Sequence, residues 1–153
     1  MIELTHERIE TINTSALITA AEFAFIEDAQ ATGSFLKSLI RIRSYLKNQG
    51  KSVALHEELS VLSDYIKLLS VRYIHRFEFS SLDEVSGSCL YVVSGSVIAA
   101  FDKLFFEMIE NVADIDPVAF DLSLVRAEAC MDLAVDAAGR GGNRRILVCL
   151  LAC

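Results

Sequence analysis

The chain reads as an α+β fold: a helical hairpin, then helix, strand, helix and three further strands. Two changes of period carry this reading. Between Val53 and Phe79, Leu55, Leu59, Leu62, Ile66, Leu69 and Tyr73 recur at spacings of four and three, one continuous apolar stripe along a helix. Phe77 and Phe79 then alternate with Arg76 and Glu78, the two-residue period of a strand with one buried face. Beyond Pro117 the alternation returns repeatedly between turn signals, so the strands gather towards the C-terminal end.

Each element has its own justification. Residues from about 3 to 49 read as helix with at least one turn. Ile2, Thr5, Ile9, Ile12 and Ala16 form a seam, and Leu36, Leu39, Ile40 and Leu46 give a returning helix its apolar face. Gln49-Gly50-Lys51-Ser52 is short and polar, which divides the chain into a hairpin at 1–50 and a second part at 51–153. Val61, Tyr65 and Leu68 widen the stripe of the next helix, so it is expected to pack on more than one side. Residues 80–88 are polar and rich in Ser, which predicts a loop. A second long helix is predicted over Ser96 to Asp114, with Val97, Phe101, Leu104, Phe105, Met108 and Val112 buried. Asp116-Pro117 ends it, because proline has no N–H to donate. Phe120, Leu122 and Leu124 mark one strand and Met131, Leu133 and Val135 the next. The run Gly139 to Asn143 predicts a turn before a last apolar strand at Ile146 to Leu151.

Composition bounds what the protein can be. At 153 residues it makes one domain or two very small ones. An apolar fraction of 53% and a mean hydropathy of +0.41 are high for a small monomer, so part of that surface is expected to be buried against a second copy. The net charge of -7 disfavours a nucleic-acid surface, which needs basic side chains to replace counterions. Cys89, Cys130, Cys149 and Cys153 contain no CxxC pair, and no histidine lies at finger spacing from them, so neither a zinc nor a thioredoxin-like site is expected. They read as small apolar residues in a reducing compartment. The N-terminus, MIELTHERIE, is not a secretory signal, and ILVCLLAC is too short to span a bilayer. A cytoplasmic protein without a membrane partner is expected.

The order L-x-E-E-L, D-Y-I, V-R-Y and R-F-E-F within residues 55–79 resembles the entry to the ATPase domain of sensor histidine kinases of the autolysin-sensor (LytS) type. That resemblance covers about a sixth of the chain. It implies that residues 51–153 are a truncated histidine-kinase-type ATPase α/β sandwich and that the hairpin dimerises into a four-helix bundle. It also places the hairpin turn near Ala20 to Glu22, whereas Thr32-Gly33-Ser34 is the stronger local stop signal.

Further along, Met108-Ile109-Glu110-Asn111-Val112-Ala113 resembles the N-box of these kinases. By that likeness Asn111 would hold magnesium against the phosphates of ATP, with Glu107 or Glu110 as acid–base support. Taken alone, a Glu-Asn pair is an ordinary solvent-facing feature of a helix. Val135-Asp136-Ala137-Ala138-Gly139-Arg140-Gly141 resembles the Asp-x-Gly-x-Gly loop whose aspartate reads adenine, but its spacing differs. Asp136, Gly139 and Gly141 are the matching residues. The lid and second glycine box of the family are missing, so Mg-ATP is possible but no cofactor is the expectation.

Thr5-His6-Glu7-Arg8 resembles an H-box, although the family's Pro, Phe and Asn are absent around it. The chemistry needs a neutral imidazole as nucleophile, oriented by a carboxylate on its other nitrogen. Glu7, or Glu10 one turn on, supplies one. A hairpin with this histidine and an ATPase half without its lid resembles the sporulation-type phosphotransferases. The implied partners are a second copy and a response-regulator receiver domain or kinase. Two alternatives stand beside this reading: a compact kinase that binds ATP through Asn111 and Asp136, and a non-catalytic adaptor in which His6 is incidental.

Overall fold

The apolar stripe of residues 55–73 folds as the buried face of a helix. The computed structural model describes residues 17–22, 30–73, 76–80, 89–110 and 117–152. After a helical stretch at 17–22, the elements are α1 (Gln30–Leu46), β1 (Ser52–Ala54), α2 (Leu55–Arg72), β2 (Phe77–Ser80), β3 (Leu90–Val93) and α3 (Ser96–Glu110). Four strands follow: β4 (Val118–Arg126), β5 (Met131–Gly139), β6 (Gly142–Cys149) and β7 (Leu151–Ala152). Leu55, Leu62, Ile66 and Leu69 of α2 are buried, and Val61 and Tyr65 are buried beside them. Glu57 and Glu58 in the first turn and Arg72 in the last complement the helix dipole.

The larger sheet has the order β2-β4-β5-β6. β2 runs parallel to β4, with Phe77 opposite Val118 and Phe79 opposite Phe120, while the other pairs are antiparallel. A parallel pair needs a crossover, and β3 with α3 supplies it. Phe120, Leu122, Leu133, Val135 and Ala137 are buried on the helix side. Phe101 and Phe105 of α3 lie over Phe120 at ring-centroid distances of 5.3 and 5.5 Å, and Phe77 meets Phe105 edge-on at 5.0 Å. Each buried ring contributes about 1.5–3 kcal/mol through area alone, and the edge-on geometry adds to it.

Helix α1 packs on α2, and its Ile42 and Leu46 join the same core. Arg41 donates to Asp64 at 2.6 Å and to Ser60 at 3.0 Å, which fixes the rotation of one helix on the other. Neither site considered for the hairpin turn is a turn among the described residues. Ala20 to Glu22 are helical, and Thr32-Gly33-Ser34 lies inside α1, where Gly33 is buried. A glycine inside a helix costs about 1 kcal/mol, a penalty that helix packing readily exceeds.

A second, three-stranded sheet of order β1-β3-β7 was not expected from the sequence. Ser52 to Ala54, read as boundary and helix start, pair with Val93 to Tyr91, and Leu151 pairs with Tyr91. The chain passes from the large sheet to the small one at Leu150, whose N–H donates to the Met131 carbonyl at 3.0 Å. The predicted last strand is therefore two, β6 and β7. The loop predicted over 80–88 and the helix end predicted at Asp114 fall outside the described residues, except that Ser80 belongs to β2. No helix among the described residues is long and apolar enough to cross a membrane.

Candidate functional site

Asp136, Gly139 and Gly141 belong to one β-hairpin. Gly139 pairs with Gly142, so Arg140 and Gly141 alone connect β5 to β6. Gly142 has φ of +119°, a conformation that side-chain-bearing residues avoid. The glycine run is therefore a tight strand connection, as its composition predicted.

Alternation along β5 fixes where Asp136 points. Val135 and Ala137 enter the core, so Asp136 faces the side of the sheet opposite the helices. There it lies between Asp121 on β4 and Arg145 on β6 in the cross-strand register. Two like charges directly opposite destabilise a pair of strands. Arg145 relieves this by donating to both oxygens of Asp136, from Nε at 2.6 Å and from Nη2 at 3.1 Å. The hydrogen bond to Asp136, then its charge, raises the Arg145 pKa. An open cleft of about 420 Å³ lies here, with Asp121, Asp136, Asn143, Arg144 and Arg145 as its polar lining.

Glu107 lies elsewhere. It projects from α3, on the helix side of the sheet, and accepts from Arg144 Nη1 at 3.0 Å. Arg144 and Arg145 are neighbours on one strand and so point to opposite faces, each holding one carboxylate. The sheet thus lies between Glu107 and Asp136. Glu110 is exposed at the end of α3. Asn111, and with it the magnesium position, lies outside the described residues, as do His6, Glu7 and Glu10.

No protein-family model matches the chain, and no curated protein matches it.

A buried carboxylate outside the predicted site gathers four hydrogen bonds. Glu58 on α2 is fully buried. Its Oε2 accepts from the Gly95 N–H at 3.1 Å, and its Oε1 accepts from Val97 and Ile98 N–H at 3.2 and 3.3 Å. Tyr45 Oη of α1 donates to Oε2 as well. All four partners are donors, so the carboxyl serves here only as an acceptor. Three of them are the otherwise unpaired N–H groups at the start of α3, where the helix dipole favours negative charge. Burial, then the hydrogen bond and charge of Glu58, push the Tyr45 phenol well above its ordinary range. A second buried pair, Tyr65 Oη donating to Asp102, ties α2 to α3 further along. The spacing carried a signal for both carboxylates. Glu58 lies three residues after Leu55 and four before Leu62, on the apolar stripe itself, and Asp102 lies four after Ile98 and three before Phe105.

The cysteines also depart from expectation. Cys89, Cys130 and Cys149 are exposed rather than small core residues, and Cys89 is disulfide-bonded. They sit at or beside strand ends, where the side chain leaves the packed interior.

Proposed function

We propose that this chain is a homodimeric two-component signalling protein of histidine-kinase ancestry, passing phosphoryl groups between His6 and the aspartate of a response-regulator receiver domain without hydrolysing ATP. The ancestry is supported by the residue resemblance along α2 and β2, together with the order helix, strand, helix, antiparallel strands and the packing of α3 on one face of a mixed sheet. The observation that carries the second half of the reading is the separation of Glu107 from Asp136 by the sheet, each held by its own arginine. The closure of the glycine run as a hairpin and the pairing of Asp136 and Glu107 with arginines support a fold-keeping role for these family positions.

In the forward step the receiver's acyl phosphate loses its P–O bond as a P–N bond forms to the His6 imidazole, and the aspartate leaves as a carboxylate. Glu7 accepts from the other ring nitrogen and steadies the positive charge that develops, with Glu10 as the second carboxylate in reach. Magnesium belongs to the receiver's acidic site. Location in the cytoplasm follows from the partner, and a Cys89 disulfide would be a transient one in that compartment.

Transfer from a phosphorylated receiver domain to the purified chain tests the reading. Acid-labile, His6-dependent label is expected, and His6→Ala should abolish it. Unchanged receiver phosphorylation with His6→Ala leaves the adaptor reading in its place. Titration with Mg-ATP by calorimetry should give no binding, and micromolar affinity would overturn the ATP-independent part of the proposal.

A further inference from the structure

Among the described residues, Cys130, Asp132 and Cys149 bring two thiols and a carboxylate together, with their ligand atoms all within 4.8 Å of one another. Asp132 on β5 is directly opposite Cys149 on β6, and Cys130 lies in the bend just before β5, close enough for its thiol to meet both. We propose that this cluster binds a zinc ion through Cys130 Sγ, Cys149 Sγ and an Asp132 carboxylate oxygen, with water as the fourth ligand. This site is independent of the phosphotransfer reading.

The spacing of the three ligand atoms suits a bridging ion. A tetrahedral zinc with Zn–S near 2.3 Å and Zn–O near 2.0 Å sets its sulfurs about 3.8 Å apart and sulfur from oxygen about 3.5 Å apart. Cys130 Sγ lies 3.8 Å from Asp132 Oδ1, already close to that separation. Both thiols are free. Two thiolates with one carboxylate oxygen suit zinc better than a purely soft ion such as copper(I) or a hard one such as magnesium.

Binding replaces two S–H bonds by two Zn–S bonds and releases both protons to solvent. The ligated centre carries one net negative charge. Its consequence is mechanical: zinc would fasten the β4–β5 connection to the end of β6, where the chain leaves for the small sheet through Leu150. Exposure of both cysteines leaves the ion open to solvent on one side.

The experiment uses the full chain, reduced and handled without oxygen, with cobalt(II) as a spectroscopic probe and zinc(II) measured by competition against a chromophoric chelator. One equivalent of cobalt should give a thiolate charge-transfer band and the intense visible bands of a tetrahedral ion, bleached by zinc. Cys130→Ser and Cys149→Ser should each weaken zinc binding by about 100-fold, and Asp132→Asn by about 10-fold. The Cys130→Ser/Cys149→Ser double variant retains Cys89 and serves as the control. If it binds zinc with unchanged affinity and stoichiometry, or if the parent shows no charge-transfer band with equimolar cobalt, the proposal is overturned. Circular dichroism of the variants, whose altered cysteines are exposed, confirms that the fold is kept.

Discussion

Glu58 shows how one side chain can hold three helices in register. It extends from α2, caps the start of α3 and receives Tyr45 from α1. Glu58→Ala would leave three helix N–H groups and a phenol without partners in a closed interior. A loss of about 3 kcal/mol or more is expected, since each unsatisfied buried donor costs about 1–3 kcal/mol. Tyr45→Phe removes one of the four donors to Glu58 and should cost about 1 kcal/mol. Urea unfolding measures both, with the slope unchanged if only the folded state is affected. A pH dependence separates Tyr45 from an ordinary packing residue. Its phenol must stay neutral in the folded state, whereas in the unfolded chain it ionises near pH 10. Above that pH the unfolded state binds fewer protons than the native one, so stability contributed by Tyr45 falls as pH rises. The gap between parent and Tyr45→Phe should therefore narrow above about pH 10, and a constant gap would contradict the assignment.

At the scale of elements, what could be read from the sequence depended on length and on partners. Helices α2 and α3 were legible because more than four turns of three-four spacing leave no other period. Strands β4 and β5 alternate long enough to declare themselves. β1, β3 and β7 have three, four and two residues, too few to establish a period, and they pair only with segments distant in sequence. Glu58 and Asp102 were hidden by their chemistry rather than their spacing, because a carboxylate is assigned to the wet face by default. In the candidate site, residue types were legible, but not the face each strand residue takes relative to α3. The hairpin between β5 and β6 offers a test at this scale. Gly142, at φ of +119°, has no free alternative among L residues, and Gly142→Ala should destabilise by about 1–3 kcal/mol. Gly141 has open space around its Cα and no positive φ, so Gly141→Ala should stay within about 0.5 kcal/mol of the parent. Thermal unfolding of the two variants side by side decides it. Equal losses would mean that the turn is not set as described.

For the whole molecule, the composition still asks for a partner. One chain buries the aromatic core between α3 and the large sheet and the contact of α1 with α2, yet apolar surface remains outside. On α1, Phe35, Leu36 and Ile40 stay half-buried along one stripe. On the small sheet, Tyr91, Val93 and Leu151 are between 38% and 45% exposed, side by side in the strand register. A solvent-facing charge pattern would have broken up both stretches in a monomer of this size. The proposed bundle of paired hairpins would cover the first of them, and coupling of folding to association follows. For such a dimer the thermal midpoint rises with protein concentration, because mass action favours the associated folded state. Raising the concentration tenfold should shift the midpoint upward reproducibly, and sedimentation equilibrium should return twice the chain mass of 16.9 kDa. Replacing Leu36 and Ile40 by Lys should abolish the concentration dependence while leaving the α3–sheet core and its near-ultraviolet signal in place. A midpoint independent of concentration, with a single-chain mass, would remove the shared bundle and with it the homodimer proposed to carry His6.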